Sequence, residues 1–253
     1  MICEDLKGRS VLITGASSGI GSAAAVLFSK HDCYIGVHYF RTPDGAEKTL
    51  EQVKKNSDGI LLRADIRDEK QVEQMIEQFA DKAGGIDILI NNAGSLIDRQ
   101  SFETGTLDYH EDIYATNVRS IFLVTRAALP YLKKSKGNIV NIGSVGGHTG
   151  GAEGSGMYSG AKAAVATETI SMAKEFAKYG IRVNSVLPGF IETRFHEQFS
   201  TAQRRKEVAG QTPLGRNGTA QDVAKAILFL ASDAASFITG EYIAVNGGLY
   251  MRA

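Results

Sequence analysis

Ser10-Val11-Leu12-Ile13-Thr14 is a short apolar run of strand-forming residues. It passes directly into Gly15-Ala16-Ser17-Ser18-Gly19-Ile20-Gly21 and then into an alanine-rich helical stretch. A strand, a glycine turn and a helix in that order leave few folds open. Glycines let a backbone come close to a pyrophosphate, and the helix that follows presents unpaired N–H groups at the positive end of its dipole. The segment predicts a dinucleotide site in an α/β fold.

The next strand, Tyr34-Ile35-Gly36-Val37-His38-Tyr39, ends about twenty residues after the glycines, where an acid ordinarily accepts hydrogen bonds from the adenosine ribose. No acid stands there. Tyr39, Phe40, Arg41 and Thr42 occupy the strand end, so Arg41 can pair with a 2′-phosphate while an aromatic neighbour packs on adenine. That favours NADPH over NADH; the alternative is that Arg41 is a loop charge and Asp44 turns back to the ribose.

Further β-runs follow at 60–64, 86–90, 138–143, 181–186 and 241–245, separated by helical patterns at about 43–56, 68–83, 108–134, 157–178 and 220–231. Seven β-runs alternating with helices imply one doubly wound parallel sheet with right-handed connections, a single domain over 1–253. Asp65 and Ile66 close the third strand, where a carboxylate can bond the adenine amino group. Asn91, Asn92, Ala93 and Gly94 close the fourth; the two amides suit backbone turns, with cofactor contact through the neighbouring backbone. Asn117 is an odd residue for a helix interior and predicts a kink or a bound water. Gly180 is the expected C-cap of the 157–178 helix, Thr219 the expected N-cap of the last. Residues 190–212 mix apolar and charged side chains beside the strand ends and suggest a lid.

A formal net charge of zero argues against nucleic acid or an anionic membrane surface as a partner. Two cysteines make neither a disulfide framework nor a zinc site, and the five histidines lack metal-ligand spacing, so no metal is expected. No basic-then-apolar leader and no apolar run near ~18 residues is present, which leads to the expectation of a soluble, cytoplasmic protein.

Tyr158-Ser159-Gly160-Ala161-Lys162 places a phenol and an ammonium on one helix face. A phenol titrates near ~10 in water, and a neighbouring cation favours its ionised form. Ser144 lies just past the carboxyl end of the fifth strand, where open α/β sheets hold their ligands.

Taken with the glycine turn, Asn91-Asn92-Ala93-Gly94, Asn117, Ser144 and Pro188-Gly189, this pair gives the chain a close resemblance over essentially its whole length to the short-chain dehydrogenase/reductase family, of the type that includes 3-oxoacyl-carrier-protein reductases. The resemblance implies a Rossmann-type sheet of order 3-2-1-4-5-6-7 with helices on both faces, and hydride transfer between nicotinamide and a carbonyl or secondary alcohol. Ser144 then holds the carbonyl oxygen. Tyr158 protonates it, with a pKa lowered by Lys162 and by the oxidised nicotinamide. Lys162 bonds the nicotinamide ribose, and Asn117 keeps a water that links Lys162 to solvent. Cofactor contacts are implied at Gly15, Ser17, Ser18, Gly19, Ile20 and Gly21, at Tyr39 and Arg41, at Asp65 and Ile66, and at Asn91, Ala93 and Gly94. Tyr158, Lys162, Pro188, Gly189, Ile191 and Thr193 complete the set.

Two departures stand out. The loop from Ser144 to Tyr158 is one residue longer than the family's usual spacing, and Tyr179 replaces a basic residue typical of relatives that use a carrier protein. The leading expectation is an NADPH-dependent reductase of a ketone or 3-oxoacyl thioester, small or carrier-linked. The alternatives are a sugar or polyol dehydrogenase, or a cofactor-bound sensor without turnover. Small residues at Ala161, Ala164 and Ala166 suggest that a partner helix packs on this one, as in a homotetramer.

Overall fold

The computed structural model describes residues 3–251. Nine strands form: β1 Ser10–Ile13, β2 Tyr34–Tyr39, β3 Gly59–Arg63, β4 Ile88–Asn91, β5 Asn138–Ile142, β6 Arg182–Pro188, β7 Ile191–Glu192, β8 Gly218–Thr219 and β9 Tyr242–Val245. Seven of them make one parallel sheet in the order β3-β2-β1-β4-β5-β6-β9. That is the expected order, since the short pair β7–β8 lies outside the main sheet. The order reverses beside β1, between β1 and β4, and an open parallel sheet binds its ligands at such a crevice.

The helices are α1 Gly19–Ser29, α2 Pro43–Val53, α3 Glu69–Ala83, α4 Leu107–Tyr114, α5 Ser120–Ser135, α6 Gly146–Thr149, α7 Gly156–Phe176, α8 Arg194–Phe199, α9 Ala202–Gln211 and α10 Ala220–Ala231. Successive side chains of a strand point to opposite faces, and both faces here are apolar. Val11, Ile13, Ile88, Ile90 and Val140 pack with α1, α2 and α10 on one side. Leu12, Leu89 and Ile139 pack with α3, α5 and α7 on the other. Each layer removes large aliphatic surface from water, at about 25 cal/mol per Å².

The helix expected over 108–134 is continuous but not uniformly α. Between α4 and α5 the turn Ala115–Arg119 is π-helical, with Asn117 at its centre. Its amide donates to the carbonyl of Ile113 at 2.9 Å, so the side chain competes for the helix's own bonds. Gly180 takes a positive φ of 73° at the end of a short 3-10 turn after α7, and Thr219 caps α10 with Asp222 answering in a capping box. The expected lid resolves into β7, α8 and α9.

The small residues of α7 need a correction. Ala161 and Ala166 are buried within the chain's own core and offer no surface to a partner helix, while Ala164 is half-buried. A groove lies between α4–α5 and α7, where Tyr114, Val118, Phe122 and Met172 sit among Glu111, Arg119 and Glu168, with Phe122 54% exposed. Among the described residues no helix is long and apolar enough to cross a membrane.

Candidate active site

One large cavity, about 1200 Å³, runs over the carboxyl ends of the strands from the glycine turn to α8 and α9. The glycine turn is locked from two sides. Gly15 has a φ of 66°, which suits a residue without a Cβ. Its N–H donates to His38 Nδ1 at 3.0 Å, and His38 Nε2 meets the carbonyl of Ala64 at 3.1 Å. Burial pushes His38 down to about 4, so the ring is neutral, with Nδ1 the acceptor. From the other side, Asn92 Nδ2 donates to the carbonyls of Thr14 and Gly15 at 2.8 and 3.0 Å.

Ser18 precedes α1 without a side-chain cap bond, and Ser17, Ser18, Gly19 and Ile20 face the cavity. The first N–H groups of α1 are thus left for an anion. Gly21 does not line the cavity. A Cβ there would stand 2.5 Å from Asn92 Nδ2 and from the Gly15 carbonyl, so its work is close packing of helix on turn.

Tyr39, Arg41, Asp65 and Ile66 line the adenosine end. Arg41 lies over the Phe40 ring at 4.9 Å. Asp65 is engaged within the protein: Arg67 donates from Nε to Oδ1 at 3.0 Å and from Nη2 to Oδ2 at 2.7 Å, and this pairing holds the carboxyl below its usual range. Asn91 needs a correction. It is 2% exposed, points away from the cavity and donates to Thr125 Oγ1 and Asn141 Oδ1 at 3.1 and 2.9 Å. It belongs to a polar ladder beneath the sheet, because a strand residue one place earlier than Asn92 faces the opposite side.

At the other end Ser144, Tyr158 and Lys162 come together, with Pro188, Gly189, Ile191 and Thr193 along the next wall. The longer loop therefore does not carry Ser144 away: its hydroxyl stays near enough to the Tyr158 phenol to oppose the rise of its pKa, and it accepts from the Gly146 N–H at 3.0 Å. Lys162 is 3% exposed; its Nζ donates to the carbonyl of Ile142 at 2.8 Å and lies 5.7 Å from the centre of the Tyr158 ring. Burial pushes this ammonium down to about 8.

The expected lowering of Tyr158 by Lys162 does not arise within the folded chain alone. Burial raises the phenol, and only the Ser144 hydroxyl opposes that. Desolvation outweighs a cation whose hydrogen bond is directed at a backbone carbonyl.

Asn117 lies behind this group, outside the cavity wall. Its amide donates to the carbonyl of Ser95 at 2.8 Å and its oxygen accepts from the Ser95 N–H at 3.2 Å. Gly94 separates it from Lys162: a Cβ at Gly94 would stand 2.7 Å from Asn117 Oδ1 and 3.1 Å from Lys162 Nζ. Phe195 of α8 closes the site from above, 5.9 Å from Tyr158 ring to ring. His38, Arg67 and Arg99 also border the cavity, and sequence reasoning assigned none of them to the site. For His38 there was a signal, a lone histidine in an otherwise apolar strand.

The donor set fits a dinucleotide: open N–H groups at a helix start, glycines pressed against their neighbours, and a cavity of about 1200 Å³ that continues from them to Ser144 and Tyr158. Comparison with known proteins agrees. The family model described as Enoyl-(Acyl carrier protein) reductase matches residues 15–250. The chain is 39% identical over 248 residues to 3-oxoacyl-(acyl-carrier-protein) reductase FabG of Vibrio cholerae serotype O1, covering 98% of this chain and 99% of the relative. To the reductase of the same name from Escherichia coli (strain K12) it is 38% identical, at 98% and 99% coverage. Among solved structures, the NADH-dependent reductase A1-R′ responsible for alginate metabolism superposes with a TM-score of 0.90 at 32% identity, covering 98% of this chain and 100% of that one. The same reductase complexed with NAD gives 0.88 at 32% identity, covering 98% and 99%. With these likenesses spanning the glycine turn, the sheet and the Ser144–Tyr158–Lys162 group, the chain belongs to the short-chain dehydrogenase/reductase family and is an oxidoreductase that works with a nicotinamide cofactor.

Proposed function

We propose that this enzyme uses NADPH to reduce a ketone to the secondary alcohol, and that the ketone is a 3-oxoacyl thioester carried on acyl carrier protein. The observation that carries the reading is that Ser144, Tyr158 and a buried Lys162 gather on one cavity at the carboxyl ends of the strands. A carbonyl oxygen set between the two hydroxyls accepts a hydrogen bond from Ser144 and takes its proton from Tyr158. The bound nicotinamide supplies the hydride. Lys162, released from or shared with the Ile142 carbonyl, bonds the ribose and favours the ionised phenol after the proton has left. Asn117 holds the Ser95 backbone and, through it, the wall between Lys162 and solvent.

The cofactor lies along Gly15, Ser17, Ser18, Gly19 and Ile20, with the carboxamide end at Pro188, Gly189, Ile191 and Thr193. Arg41 favours NADPH because it faces the adenosine end from a strand terminus that carries no acid. The thioester substrate is supported by the names of the curated relatives. Where Tyr179 replaces a basic residue, Lys133 and Lys178 lie 4.0 and 5.1 Å from its ring and keep that surface cationic for an acidic carrier. The segment 190–212 acts as the lid, and the groove beside Phe122 joins copies into a homotetramer.

A second reading, an NADH-dependent reductase of a sugar-derived ketone, is favoured by the A1-R′ structures. Enzyme mixed with acetoacetyl thioester should consume NADPH faster than NADH, and Tyr158→Phe should lose activity by a factor of about 10² to 10⁴ while still binding cofactor. Turnover confined to NADH and hydroxylated ketones would replace the first reading with the second. Full activity in Tyr158→Phe would remove both.

A further inference from the structure

Three separate segments border the substrate side of the cavity: residues 95–100 after β4, the glycine-rich loop between β5 and α7, and the lid helix α8. One side chain ties all three together. Arg99 donates from Nε and Nη2 to the carbonyl of Phe199, at 3.2 and 3.1 Å, and from Nη1 to the carbonyl of Glu153 at 2.8 Å. Beside it the Gln100 N–H donates to the carbonyl of Gly154 at 3.1 Å. Phe199 is the last residue of α8, so a guanidinium stands at the negative end of that helix.

A helix as short as α8 does not hold itself together and depends on what it packs against. Its base is tied down, since Glu192 accepts from Arg205 at 3.4 Å and from Asn217 at 2.6 Å. Its far end has Arg99. Between them, Phe195 packs on Tyr158 at 5.9 Å and on Phe199 at 5.0 Å. A change at the far end of α8 therefore reaches the ring that covers the tyrosine.

The segment that carries Arg99 is itself under backbone strain. Ile97 has a φ of 62°, unfavourable for a β-branched side chain, at the centre of a tight turn in which the Asp98 N–H donates to the Leu96 carbonyl at 2.6 Å. Ser95 Oγ accepts from the Ile97 N–H at 2.9 Å, and the Tyr109 hydroxyl donates to the Asp98 carbonyl at 2.7 Å. Such a conformation persists only where neighbouring bonds hold it on both sides. Tyr109 does so from α4, and Arg99 from the lid and the loop.

We infer that Arg99 is a positioning residue that clamps the lid onto the long loop above Tyr158 and thereby sets how tightly the substrate is enclosed. It touches no reacting atom. The inference rests on the proposed reductase site for its kinetic readout, but the clamp itself is testable without turnover. Amide hydrogen exchange of Arg99→Ala should show faster exchange across 190–212 with the central strands unchanged, and Arg99→Lys, which can reach one carbonyl but not both, should fall between the two. With a carbonyl substrate that the wild-type enzyme turns over, Arg99→Ala should raise KM on the order of tenfold while kcat changes less and NADPH affinity is unaltered. Unchanged lid exchange in Arg99→Ala would overturn the clamp whatever the substrate proves to be. So would a variant that loses NADPH affinity and thermal stability together, the mark of a merely structural arginine.

Discussion

A methyl group added at Gly94 would meet two members of the proposed catalytic group at once, 2.7 Å from Asn117 Oδ1 and 3.1 Å from Lys162 Nζ, where ordinary contact begins at 3.4 Å. Neither neighbour can swing aside freely. Asn117 is fully buried, held by bonds of 2.8 and 2.9 Å from its amide and one of 3.2 Å to its oxygen; Lys162 is held at 2.8 Å by the Ile142 carbonyl. Relieving the overlap sacrifices one of these bonds, and a buried polar group left unpaired costs about 1–3 kcal/mol. For a chain of this size that lowers Tm by a few degrees, at ~2–4 °C per kcal/mol. Activity suffers more, because displacing a catalytic group by ~1 Å costs about 10²-fold, or ~2.7 kcal/mol of barrier. Gly94→Ala should therefore keep its fold, lose a few degrees in a thermal melt and drop kcat about a hundredfold. Gly210→Ala, where nothing lies within 4 Å of the added carbon, is the control and should retain wild-type kcat. A Gly94→Ala enzyme with unimpaired kcat would show that Asn117 and Lys162 need not hold the positions described, and the proposed roles would fall with it.

Arg41→Ala should weaken NADPH binding about 10- to 100-fold, as expected for loss of a charge-assisted bond of ~1.5–3 kcal/mol, and leave NADH binding almost unchanged; equal effects on both, measured by fluorescence titration, would exclude a 2′-phosphate contact. His38 is neutral in the fold and pushed down to about 4, whereas the unfolded chain protonates it near ~6.5, so the unfolded state gains protons first as the solution is acidified. Its contribution is intact above that upper value and is lost as pH falls from ~6.5 toward 4, by on the order of 3 kcal/mol. His38→Asn, which keeps an acceptor for Gly15 but does not titrate, should show a shallower decline in denaturant midpoint across that window, and an unchanged slope would refute the assignment.

Much of the fold is legible in local pattern. The apolar runs Val11–Ile13 in β1 and Ile88–Ile90 in β4 are continuous because helices cover both faces, and the alternation of such runs with helical patterns was enough to infer a parallel sheet. Thr219 and Gly180 mark helix ends through their own chemistry, with no need of distant partners. Asn117 stood out as a poor helix residue, and the chain does form a π turn there. The tyrosine, the lysine and the serine could be picked out because their spacing against the strand ends is itself a local property.

What spacing does not encode is which way a side chain turns once its neighbours arrive. Asn91 and Asn92 are adjacent amides, yet one serves a ladder with Asn141 and the other secures the glycine turn. Ala161 and Ala166 were expected to face a partner and are instead buried within their own chain, Ala161 against Tyr109 and Ile113 of α4. Arg99 bonds residues 54 and 100 positions away, a relation with no trace in its surroundings along the chain.

The sequence by itself determined the sheet, the glycine turn at its switch point and the residue types able to move a proton, since these follow from period, turn chemistry and ionisable groups. Only the tertiary structure decided the electrostatics and contacts of the site: a phenol raised by burial within the folded chain, a lysine bonded to the Ile142 carbonyl, and an arginine bonded to the last carbonyl of α8. Those outcomes depend on desolvation and on hydrogen bonds between segments far apart in the chain, and neither exists until the chain has closed on itself.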